Sequence, residues 1–233
     1  MKLYLLLLVL LGCFLSCKIK PEKIAAAVNN IQLLIPDTTK NERAKRDLER
    51  IEYHTKISKQ LGLNDFKKGA DSFEIRAWYS FSFSNSQELY DLKVLDTNYT
   101  ISYYRFYCRQ IDYENENRNR DWNPFTNPII DSFVSKSILL KKKDCDSLGL
   151  NMFWSLRSEC ELNIPDSIGF LDCYGNTLEI ADKHKYKLLS YHCANALYEA
   201  TKFKQILDFE EGFNKIAALA YKHNAVVPYD FPK

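Results

Sequence analysis

Glycine is scarce in this chain. There are seven in 233 residues, and one of them, Gly12, falls in the opening apolar run. A glycine-poor chain has little material for loops that wrap phosphate groups. Histidine is scarcer still, at four, and no two cysteines are spaced C-x-x-C, so neither a zinc site nor a dithiol redox site is indicated. The sequence has no G-x-S-x-G, no P-loop, no H-E-x-x-H and no calcium-binding loop. Charge of one sign is also missing. Lys plus Arg number 32 against 30 Asp plus Glu. That balance argues against a nucleic-acid binder, which carries a marked basic excess. There is no repeat at a solenoid period.

What the chain does have is an unusual beginning. After Lys2, residues 3–11 are all apolar, and the run continues to Leu15 with Gly12 and Cys13 inside it. This is the length of the apolar h-region of a secretory leader, ~7–15 residues, and is short of the ~20 that a spanning helix needs. A small residue precedes each early cysteine: Gly12 before Cys13, and Ser16 before Cys17. "LLGC" and "FLSC" resemble the lipobox of bacterial lipoproteins. The resemblance implies cleavage of a leader at residues 1–16 and acylation of Cys17, with Cys13 as the alternative. It also implies a palmitate-type lipid anchor and an address in the cell envelope, on the outer membrane. Several buried acyl chains, at ~0.8 kcal/mol per CH₂, hold a protein to a bilayer where one would not. "KIKPEK" then begins a polar tether, residues 17–40.

The remainder, 41–233, reads as one domain. "NERAKRDLERIEYHTKISKQLG" has a helical period, with a cap at Thr39 or Asn41 and a stop at Gly62, and predicts a helix over 41–61. From Asp71 the period becomes two. "SFEIRAWYSFSF" alternates Phe73, Ile75, Ala77 and Tyr79 with Glu74, Arg76, Trp78 and Ser80, which predicts a half-buried strand with one polar face. "ELYDLKVL" and "TNYTISYYRFYC" complete a meander, and "SFVSKSILL" is a further strand. "CDSLGLNMFWSLRSEC" is a short helical or irregular excursion between Cys145 and Cys160, a pair that could bridge it by a disulfide. A second meander follows over "IGFLDCY", "TLEIAD" and "KYKLLSYHC", with turns at Gly175-Asn176 and Lys183-His184. A helix over 198–222 closes the chain. The expected fold is α+β: a mainly antiparallel sheet of about 5–7 strands between 71 and 193, with an N-terminal and a C-terminal helix packed on it.

One feature of the domain suggests recognition. Tyr103, Arg105, Tyr107 and Arg109 share a face of their strand, and Arg76 on a neighbouring strand is expected to extend a basic strip between tyrosines. The plainer alternative is cross-strand pairing with Glu74, Glu88 or Asp112. Trp122 and Phe125, in a loop with two prolines, are a second expected contact. His192 and Cys193 are adjacent on a strand and so point apart; His184 and His192 would need a third ligand to hold a metal. No catalytic residue, metal ligand or cofactor site is assigned.

"EIRAWYSF" and "EIADKHKYKLLSYH" resemble segments of uncharacterised bacterial lipoproteins, a resemblance that implies no activity. "DTT", "DSL" and "DSI" resemble an O-glycosylation acceptor motif of exported proteins, which would place sugars on Thr38, Ser147 or Ser167. The expected role is a membrane-tethered, non-enzymatic binding protein with a protein partner in the envelope. An immunity lipoprotein that neutralises a toxin and an envelope hydrolase are the alternatives.

Overall fold

The computed structural model describes residues 31–35, 42–80, 85–110, 122–146, 148–162, 164, 168 and 174–227. The leader, the two early cysteines and the three glycosylation-type residues lie outside them.

Seven strands form one sheet: β1 (Gln32–Leu34), β2 (Phe73–Ser80), β3 (Ser86–Leu95), β4 (Asn98–Cys108), β5 (Ile130–Leu140), β6 (Gly175–Ala181) and β7 (Lys185–His192). Their spatial order is β1-β7-β6-β2-β3-β4-β5. Every neighbouring pair is antiparallel except β1 with β7. The expected α+β architecture is thus observed. The β2–β5 meander and the β6–β7 hairpin are fused by the pairing of β2 with β6.

Helices cover both faces. On one face β2 presents Ile75 and Ala77, in register with Tyr90 and Leu92 of β3 and with Leu178 and Ile180 of β6. This face packs beneath α4 (Ala194–Thr201) and α5 (Lys204–Lys222), and beneath the excursion that holds α2 (Lys142–Asp146) and α3 (Met152–Ser155). In α5, Ile206, Phe209, Phe213, Ile216 and Ala220 recur every three or four residues and are all buried. On the other face, Trp78, Leu89 and Phe106 meet α1 (Glu42–Gln60), whose Ile51 and Ile57 face inward. Phe66, Tyr186 and Leu188 complete that layer. Each such apolar side chain contributes about 1.5–3 kcal/mol by leaving water.

Several expectations need correction. The face with Glu74, Arg76 and Trp78 is not solvated, because α1 lies over it and these residues are 4 %, 1 % and 3 % exposed. The tether does not run unbroken to residue 40: Gln32–Leu34 adds to the edge of β7, and Ile31 and Ile35 pack against a core cluster. Gly175 and Asn176 make no turn; they pair with Ser80 and Tyr79 inside β6. The closing helix is two helices. Lys202 adopts φ 56°, its amide bonds back to Tyr198 O, and α4 ends there before α5 begins. The Cys145–Cys160 bridge is not formed. Cys145 is a buried free thiol, and Cys160 Sγ lies 2.8 Å from Ser158 Oγ and 3.1 Å from Asp47 Oδ2. His184 and His192 flank opposite ends of β7, so they do not meet.

Candidate functional site

Two polar arrangements stand out, one sealed beneath α1 and one open at an end of the sheet. The sealed arrangement arises from register. Arg76 on β2 sits opposite Asp91 on β3 and Glu179 on β6, and Glu74 sits opposite Lys93. Arg76 donates to Glu74 Oε1 through NH2 at 2.7 Å and Nε at 3.1 Å, and to Ser58 Oγ at 3.2 Å. Its guanidinium lies 3.8 Å over the Phe66 ring and 3.9 Å from Asp91. Lys93 Nζ is 3.4 Å from Asp91 and 3.6 Å from Glu74. Glu179 accepts from Trp78 Nε1 at 2.6 Å and from the Tyr186 hydroxyl. His54 of α1 stacks on Trp78 with ring centroids 4.3 Å apart and brings Nδ1 to 3.7 Å from Glu179.

The electrostatics follow from burial. Desolvation pushes the Asp91 carboxyl up to about 7, with Glu74 adding to the rise and Arg76 and Lys93 opposing it. Desolvation also favours the neutral imidazole at His54, against the pull of Glu179. Burial alone would raise Glu179, but His54, Arg76 and the Tyr186 hydroxyl hold it below its ordinary value. At the α1 edge of the layer, burial lifts Asp47 to about 6 while Cys160 and Arg50 work downward. The chemistry of this cluster is mutual neutralisation within the core.

The open arrangement lies where β2 and β4 end and where β3, β5 and β6 begin. Arg105 is opposite Glu88 in register, and Tyr107 is opposite Ser86. Arg105 Nε donates to Ser86 Oγ at 3.3 Å. Glu88 accepts from Tyr90 at 2.8 Å, and Tyr79 lies opposite Glu88 on β2. Arg109 leaves β4 and pairs with Asp131 at 2.6 Å. The segment 122–128 packs on α1: Gln60 Nε2 donates to Pro128 O at 2.9 Å and Lys56 Nζ donates to Thr126 O. Within it Trp122 Nε1 donates to Asn127 O at 2.7 Å, and Phe125 is left 79 % exposed. Gln60, Ile130, Asp131, Ser132 and Phe133 line an open depression beside it.

The structure therefore separates the residues expected to bind. At this end of the sheet Arg105 and Tyr107 lie on the Tyr103 face, Arg109 reaches Asp131 at the rim, and the segment with Trp122 and Phe125 packs over α1 on the other face. Tyr103 shares the Arg105 face but is fully buried. Arg76 is on the opposite face of the sheet, pointing beneath α1, so the basic strip it was expected to extend does not form. The plainer alternative holds for Arg76 and Glu74, and Asp112 lies outside the described residues. The sealed network was missed, although α1 carries a signal for it: Asp47, His54 and Ser58 fall on the apolar stripe of the helix, where polar side chains need partners. Among the described residues no group of His, Cys, Asp and Glu is arranged to hold a metal ion, and no helix is long and apolar enough to cross a membrane.

No protein-family model, curated protein or solved structure matches this chain.

Proposed function

We propose that this chain is a bacterial lipoprotein, held by a lipid on Cys17 in the cell envelope at the outer membrane, and that its domain acts by binding a protein partner. The observation that carries the binding reading is the contrast between the two polar arrangements. The ionisable groups with displaced pKa values beneath α1 face one another in the core. At the sheet end Arg109 and Phe125 are exposed to solvent, with Arg105, Tyr107 and Trp122 half-buried behind them. Tyr, Trp, Phe and Arg are the residue types that dominate protein interfaces. The lipobox-like leader supports the envelope address, and an exported domain is one in which disulfides can form.

A photo-crosslinking residue in place of Phe125, activated in intact cells, tests the reading. One protein adduct is expected, lost when Arg109→Glu is added. Adducts that are absent, or that survive Arg109→Glu and Trp122→Ala alike, would turn attention to a small ligand or to the hydrolase alternative.

A further inference from the structure

The two edges of the sheet are finished differently. β1 is three residues long and offers almost no template. β5 is eleven residues long, is mostly exposed, and among the described residues pairs only with β4. Sheet edges in stable proteins are blunted by charge, proline, bulges or a covering element. β5 has no proline, and its bulge is confined to the Ile130 end, where the Ile130 amide donates to Gln60 Oε1 at 2.9 Å. Asp131 is neutralised by Arg109, which leaves Lys136 as the remaining charge on the strand. Apolar groups run out to this edge: Ile130 and Ile138 flank two core clusters, and Phe133 and Leu139 are 46 % and 77 % exposed.

We propose that β5 is the seam of a symmetric dimer, pairing antiparallel with β5 of a second copy so that one sheet runs through both. A two-fold axis perpendicular to the sheet keeps each face on its own side. Residues of one face therefore oppose residues of the same face, and the axis passes through a residue rather than between two. With the axis at Val134 the strand complements itself. Val134 meets Val134, Ser132 meets Lys136 and Phe133 meets Ser135. Each large side chain then faces a small or matching one, and no like charges oppose. An axis at Lys136 would set the two lysines opposite each other, an unfavourable pairing. The self-complementary register favours a second copy over an unrelated peptide. This inference does not depend on what binds at Phe125.

Two measurements on the full chain in detergent test it. Sedimentation should show a dimer whose dissociation constant weakens at least about tenfold in Ser135→Arg, with the thermal melt of the subunit retained because Ser135 is exposed. Mild oxidation should crosslink Val134→Cys to itself, and Leu95→Cys at the far hairpin should give no such band. A wild-type monomer, a dimer indifferent to Ser135→Arg, or equal crosslinking at Leu95→Cys and Val134→Cys would each overturn the proposal.

Discussion

Arg76 shows how much one buried charge can govern. It touches Glu74, Ser58, Asp91 and the face of Phe66. Arg76→Met keeps most of the volume but leaves Glu74 and Asp91 to share the half-exposed Lys93 as their counter-charge. We expect a loss of about 3–5 kcal/mol, read as a lower urea midpoint at unchanged slope. Asp47 gives a pH-dependent test. Its carboxyl moves from 3.8 to about 6 on folding, which corresponds to about 3 kcal/mol of preference for the protonated form. Because the folded value is raised, that stability is present below pH ~4 and is lost as pH rises through 6. Asp47→Asn should therefore flatten the fall in stability between pH 4 and 7, as followed by urea unfolding at each pH. His54 has the opposite sign: its folded value is depressed, so its contribution is present above 6.5 and is lost as pH falls. His54→Gln should remove the acid-side loss and leave the Asp47 slope in place.

Elements were read from the sequence unevenly, and the reasons are physical. α1 was legible because Ala44, Ile51 and Ile57 keep the helical period and Gly62 takes a left-handed φ of 74° at its end. The β2–β4 meander was legible because alternation has a period of two. What alternation does not tell is whether the polar face meets water. Glu74, Arg76 and Trp78 look like surface residues until His54 and Ser58 of α1 are laid over them. The break between α4 and α5 was missed because Lys202 adopts its left-handed φ without glycine. At the candidate site, Arg105 and Tyr107 were placed together correctly by parity on β4. Arg76 was misplaced because residue type says nothing of which face a neighbouring strand presents. In α5, Gly212 is held for packing: a Cβ there would lie 2.5 Å from Phe153 Cε1, and Phe153 is fully buried. Glycine to alanine inside a helix ordinarily stabilises by up to about 1 kcal/mol. Here Gly212→Ala should instead destabilise by about 1–3 kcal/mol, measured by denaturant unfolding.

At the scale of the whole molecule, charge and exposure are distributed in a consistent way. The sheet is covered on both faces across its middle strands, and its ion pairs there are internal. The two most exposed large apolar side chains among the described residues, Phe125 and Leu139, lie in the Phe125 loop and on β5, and others such as Leu95 and Leu207 are scattered. These exposed groups are what the proposed contact with a protein partner rests on. A lipid tether would add to this by confining the domain near a bilayer, where effective concentrations are high. The tether is the claim on which the envelope role rests. Its direct test is incorporation of radiolabelled palmitate in cells expressing the wild-type chain, Cys17→Ser, Cys13→Ser and the double variant. The account predicts a labelled, membrane-bound wild type and loss of label in Cys17→Ser, or in Cys13→Ser if that residue is the acceptor. Label that persists in the double variant, or a wild type that never takes it up, would contradict it.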